Sequence, residues 1–195
     1  MLQFITKEST RYTHTHQARL AIEGGCRWVE LNMDGAPDEA VAEAAKELIP
    51  LCRDTDTFLI LRRTQVVDAL RVTGVFLDGA SAAEASATRD RLGPHAVIGV
   101  SVATADDILN LRRADIDYAV LPPIETIGAD QYAAIVRAVR ASECTTAIVA
   151  SGAIAEADVP AVMATGVSGI AVSAGIADAP DPAAAARAYL AALSL

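Results

Sequence analysis

The run Thr146–Ile176, TAIVASGAIAEADVPAVMATGVSGIAVSAGI, carries two short apolar segments separated by a helical stretch. Ala147–Ala150 reads as a strand, Ser151-Gly152-Ala153 as a glycine turn, about Glu156–Thr165 as a helix and Gly169–Val172 as a second strand. Continuous apolar runs of this length suit parallel strands buried on both faces. Each run breaks into small residues just past its carboxyl end, Ser151-Gly152-Ala153 and Ser173-Ala174-Gly175. Glycine and alanine let backbone N–H groups approach a bound anion closely. Two such turns, one after each of the last two strands, are the layout of the phosphate site of a (β/α)8 barrel. The same residues would also let helices pack tightly on strands, so the turns alone leave both readings open.

Upstream, the alternation continues without a linker or a change in composition. Strands are expected at Leu2–Ile5, Trp28–Met33, Thr57–Leu61, Val75–Leu77, Ala96–Val100 and Tyr118–Leu121. Helices follow each of them: Thr13 to Gly24, Asp38 to about Cys52, Thr64 to Arg71, Ser81 to Leu92, Thr104 to Ala114 and Asp130 to Ser142. Pro180–Leu193 closes the chain, with Asp181 and Pro182 as N-cap and first helical residue. Strict strand–helix alternation means a parallel sheet with right-handed crossovers. Eight repeats in 195 residues favour a closed α/β barrel of the TIM type over a doubly wound open sheet. The whole chain, residues 1–195, then forms one domain, short beside the roughly 250 residues usual for this fold. With 52% hydrophobic residues but only 4% aromatic, aliphatic side chains are expected to fill the core.

The net charge of −9 and pI near 4.7 repel nucleic-acid phosphates and anionic lipid, so neither is an expected partner. Cys26, Cys52 and Cys144 lack metal or redox spacing and read as free thiols of a reducing cytosol. The amino terminus lacks the pattern of a secretory signal, and no apolar run approaches the roughly 18 residues of a membrane span. A cytoplasmic location is expected, and a homo-oligomer is allowed for.

The segments LQFIT, EGGCRWVEL, TFLI, GVFLDG, VIGVS, DYAVLPPI, IVASGAI and GVSGIAVSAGI follow one another over essentially the whole chain. In that order they resemble the thiamine phosphate synthase family and its relatives the thiazole tautomerases. The resemblance implies condensation of hydroxymethylpyrimidine diphosphate with thiazole phosphate, a transferase reaction assisted by magnesium. It implies that Gly152, Ala153, Ser173 and Ala174 hold the thiazole phosphate through backbone N–H groups, and that Ser101 faces the pyrimidine diphosphate.

Other family positions have changed. The strand-two motif Gln-Leu-Arg-x-Lys is replaced by Glu30-Leu31-Asn32-Met33-Asp34. Arg62 and Ser81 occupy the two magnesium-binding aspartate positions, so no metal cofactor is expected. Phe76 replaces the histidine of the strand-four motif, and Glu125-Thr126-Ile127-Gly128 replaces the Thr-x-Thr-Lys loop after strand six. The tautomerase histidine falls at Pro123, and no catalytic residue can be assigned.

Strand two has thus turned from basic to acidic and strand three from acidic to basic. Neighbouring strands allow Glu30 or Asp34 to pair with Arg62 or Arg63. Alternatively the mouth residues Glu30, Asn32, Asp34, Arg62, Arg63 and Ser101 serve a different anion, or the two arginines replace magnesium as a diphosphate clamp. His14 and His16 could approach Asp34 from the first loop, but residues at i and i+2 of a helix do not face one another. Two functions follow: a divergent or impaired synthase of thiamine biosynthesis, or a non-catalytic barrel binding a phosphorylated small molecule or a protein partner.

Overall fold

The computed structural model describes residues 1–194. Eight parallel strands hydrogen-bond in sequence order and close into a barrel. They are β1 (Leu2–Ile5), β2 (Trp28–Leu31), β3 (Phe58–Leu61), β4 (Gly74–Leu77), β5 (Val97–Ser101), β6 (Tyr118–Pro123), β7 (Ala147–Ser151) and β8 (Gly169–Val172). Among the intervening helices are α1 (His14–Glu23), α2 (Asp38–Asp54), α3 (Thr64–Leu70), α4 (Ala82–Leu92) and α5 (Ala105–Leu111). They continue with α6 (Ile124–Ile127), α7 (Ala129–Ala141), α8 (Val159–Met163), α9 (Ala174–Ala177) and α10 (Pro182–Leu193). Among the described residues, no helix is long and apolar enough to cross a membrane.

Local chemistry sets many boundaries. Ser81 and Glu84 form a reciprocal capping box at α4, and Thr104 and Asp107 form another at α5. Asp181 caps α10 by accepting from the Ala184 N–H. The expected helix over Glu156–Thr165 is shorter and divided: a 3₁₀ turn at Glu156–Asp158 leads into α8. Similarly, α5 tightens into a 3₁₀ turn at Arg112–Ala114 rather than running on as one helix. The short helices α6 and α9, at the mouth after β6 and β8, carry no periodicity long enough to read from sequence.

Two layers of packing surround the sheet. Val, Ile, Leu and Ala fill the space between strands and helices, as expected from composition. Inside the barrel, Ile60, Val97, Val120, Val149 and Ala171 continue that aliphatic filling, joined by a group of aromatic rings. Trp28 packs on Phe58 and meets Tyr118 edge-on, with centroids 4.7 and 5.5 Å apart, and Phe76 lies beside Tyr118 at 6.2 Å. Volume explains the choice, since a few large rings fill an interior reached by only a few inward positions on each strand. Gly99 makes room for the Tyr118 ring, which any side chain at that position would strike.

Candidate functional site at the barrel mouth

Side chains alternate across a strand, so the inward parity that places Trp28, Phe58 and Phe76 inside continues two residues at a time toward the mouth. Along β2 it gives Glu30, beyond β3 Arg62, beyond β4 Asp78, and at the ends of β5 and β7 Ser101 and Ser151. All five border one cavity of about 840 Å³. Leu121, Pro122 and Pro123 supply part of its apolar wall.

At its floor, Arg62 Nε donates to Glu30 Oε1 at 2.7 Å. Glu30 is fully buried, while Arg62 is 21% exposed and faces the cavity. The second Glu30 oxygen accepts from Gln3 Nε2 at 2.8 Å, and Gln3 also donates to the Tyr118 hydroxyl at 3.2 Å. Gln3 Oε1 is buried without a hydrogen-bond partner among the described residues. Arg62 stacks over Phe76 at 4.9 Å and approaches Asp78 at 3.7 Å through its terminal nitrogen. Burial pushes the Glu30 pKa up, against the opposing pull of Arg62. Desolvation works to lower the Arg62 pKa, but Glu30, Asp34 and Asp78 together hold it above its ordinary value. Each member offsets part of the other's burial, and with Glu30 and Asp78 facing the guanidinium little free positive charge remains for a diphosphate.

The remaining mouth residues divide. Ser101 donates to Asp78 at 2.6 Å and accepts from the Gly79 N–H at 2.8 Å, so it belongs to the cavity. Arg63 turns away to Asp38 at 3.4 Å, and the two arginines do not form a joint clamp. Asp34 is exposed on the rim, where the Asn32 amide can donate to both its oxygens at 3.0 and 3.1 Å. Of the four ion pairs the sequence allowed, the Glu30–Arg62 pair is formed. His14 bonds Thr6 and Glu8 rather than approaching Asp34. Cys26, Cys52 and Cys144 are buried, and burial raises the first two thiols to about 11.

The two positions to which the resemblance assigns magnesium ligands, Arg62 and Ser81, do not suit a hard cation. Arg62 is ion-paired there, and the Ser81 hydroxyl is committed to Glu84. Among the described residues, no three His, Cys, Asp or Glu side chains form a group able to hold a metal.

Across the mouth, Gly152 has a φ of +123°, in the region L side chains rarely adopt. Ala153 N–H points at Glu125, whose two carboxylate oxygens lie 3.2 Å from it. Ser173 precedes the first turn of α9, which begins at Ala174. None of these four small residues borders the 840 Å³ cavity, so the mouth holds two separate groups of candidate residues. Sequence reasoning misses Gln3 and reaches Asp78 and Glu125 only as positions at the carboxyl ends of strands, without a role. Strand parity is the signal that could find Gln3 and aim Asp78 at the cavity; nothing local marks the contact of Glu125 with the β7 turn.

Fold and mouth together define a one-domain (β/α)8 barrel with its polar residues gathered at the carboxyl ends of the strands. A family model described as thiamine monophosphate synthase matches residues 2–176. The thiamine-phosphate synthase of Bacteroides thetaiotaomicron is 36% identical over 200 residues, spanning 97% of this chain and 95% of that one. Its counterpart from Bacteroides fragilis is 35% identical over 192 residues, spanning 93% of this chain and 94% of the relative. The solved thiamine phosphate pyrophosphorylase from Pyrococcus furiosus superposes with a TM-score of 0.85 at 25% identity, covering 99% of this chain and 95% of that one. The chain belongs to the thiamine monophosphate synthase family.

Proposed function

We propose that this protein is a divergent thiamine phosphate synthase homologue, impaired in the magnesium–diphosphate half of the reaction and keeping the phosphate-accepting turns after β7 and β8. The observation that carries this reading is the Arg62–Glu30 pair of 2.7 Å at the position of a magnesium carboxylate. An arginine there removes an oxygen ligand and adds repulsion, while Glu30 and Asp78 oppose a diphosphate that would use the arginine instead. The thiazole phosphate would meet Gly152, Ala153, Ser173 and Ala174 through main-chain donors, which side-chain changes elsewhere leave intact. No catalytic magnesium and no catalytic side chain is assigned.

The test is turnover of hydroxymethylpyrimidine diphosphate and thiazole phosphate with magnesium, beside calorimetry with thiazole phosphate alone. Binding of thiazole phosphate with strongly reduced or no condensation is the expected result. Full magnesium-dependent turnover would overturn the impairment, and failure to bind thiazole phosphate would overturn the retained half-site.

A further inference from the structure

Glu125 lies on α6, between the end of β6 and Gly128, whose φ is +79°. Its carboxylate sits on the turn after β7, with both oxygens 3.2 Å from the Ala153 nitrogen. Gly152 lies directly against it. A side-chain carbon on Gly152 would strike the carboxylate first and then meet the Ile124 backbone nitrogen at 3.0 Å. An anionic group of the chain itself therefore uses the donor that a ligand phosphate would need.

The segment leading to Glu125 is anchored, whereas Glu125 is exposed. Pairing between β6 and β7 shifts register between Val120 and Pro123. Across that irregularity, Ser151 Oγ donates to Leu121 O at 2.7 Å and the Tyr132 hydroxyl donates to Pro122 O at 2.6 Å. The same tyrosine oxygen accepts from the Ser151 N–H at 3.2 Å. These bonds bring α6 to the mouth and keep its carboxylate beside the β7 turn. Being tethered, the carboxylate competes at a high effective concentration; being exposed, it can rotate away without breaking the core.

We propose that Glu125 is a tethered competitor for the anion site at Gly152–Ala153 and sets which phosphorylated ligands can occupy it. A carboxylate and a phosphate both present anionic oxygens to a backbone N–H, but like charge prevents their sharing it. A ligand must displace Glu125, which selects against bare anions and for phosphorylated molecules with further contacts in the mouth. The proposal rests on the reading that this turn accepts phosphate.

The test is an amide NMR titration with inorganic phosphate, following the Ala153 resonance in wild type, Glu125→Ala and Glu125→Gln. Both variants are expected to bind phosphate at Ala153 at least about fivefold more tightly than wild type, since the apparent affinity is reduced by the fraction of molecules in which Glu125 blocks the site. Equal affinities in wild type and Glu125→Ala would overturn the competition while leaving the anion site standing. No Ala153 response in any of the three would overturn the anion site and the proposal together. Melting temperatures confirm folding, and Glu125→Gln retains the side-chain shape if truncation perturbs α6.

Discussion

Arg62 Nε and the fully buried Glu30 Oε1 lie 2.7 Å apart across β2 and β3, joining an arginine where the family motif has an aspartate to a glutamate where it has a neutral glutamine. Removing the cation strands a carboxylate that keeps only its bond from Gln3. Arg62→Ala is expected to cost about 2–4 kcal/mol, less than for a sealed pair because water reaches the arginine. Glu30→Gln/Arg62→Ala should recover at least about 1 kcal/mol of that loss, since the neutral amide needs no counter-ion. Urea unfolding of the two variants provides the comparison. A double variant no more stable than Arg62→Ala would show that packing of Arg62 on Phe76, rather than charge pairing, dominates.

The same pair gives a pH dependence with a definite sign. Burial raises the Glu30 pKa above its unfolded value, so the folded chain holds this proton more tightly. The group therefore favours folding most below its unfolded pKa, and that contribution is lost as pH rises through the folded pKa. In wild type Arg62 opposes the loss. Arg62→Ala should therefore lose stability relative to Glu30→Gln/Arg62→Ala as pH rises from about 4 to 8. Unfolding at several pH values measures the gap; a gap that narrows with rising pH would contradict the assignment.

Parity and strand spacing made the fold legible. LQFI, WVEL, FLIL and GIAV are short apolar runs at barrel spacing, and their alternation with helices leaves little choice of topology. Parity also allowed a Glu30–Arg62 contact, but several ion pairs satisfied it, and only the three-dimensional arrangement sends Arg63 to Asp38. The group of rings inside the barrel was hidden because composition counts residues without saying on which side of a strand they lie. Glu125 was less accessible still. Its contact with Ala153 spans 28 residues and depends on a four-residue helix and a register shift, neither of which has a sequence period. The angle at Gly152 also limits what a substitution can test: Gly152→Val would be a simple steric block only at an ordinary backbone angle. At φ +123° it would strain the turn as well, so loss of binding would not isolate the anion site.

Restoring oxygen ligands should restore magnesium binding. Arg62→Asp/Ser81→Asp returns carboxylates to both family positions, and aspartate remains a good N-cap for α4 in place of Ser81. Glu30→Gln must accompany them, because an aspartate replacing Arg62 beside a buried Glu30 would place two carboxylates together. The triple variant is expected to bind magnesium at least about tenfold more tightly than wild type in the presence of pyrophosphate. Calorimetric titration measures this, and equal affinities would mean that further lost residues, such as the basic positions now held by Asn32 and Asp34, limit the site.

The two halves of the mouth should act independently. Arg62 is engaged by Glu30, faced by Asp78 and stacked on Phe76, whereas the donors proposed for phosphate are main-chain N–H groups in the β7 and β8 turns. Removing the arginine changes neither those N–H groups nor the backbone angle of Gly152. Glu30→Gln/Arg62→Ala, which avoids a stranded buried charge, should therefore bind thiazole phosphate within about threefold of wild type, a difference below about 1 kcal/mol. Calorimetry at two salt concentrations sharpens the comparison, because a site that had moved to the exposed guanidinium would weaken in wild type as salt rises. A tenfold or greater loss in the double variant would place the anion beside Arg62 and reassign the β7 and β8 turns to close packing of α8 and α9 against the barrel.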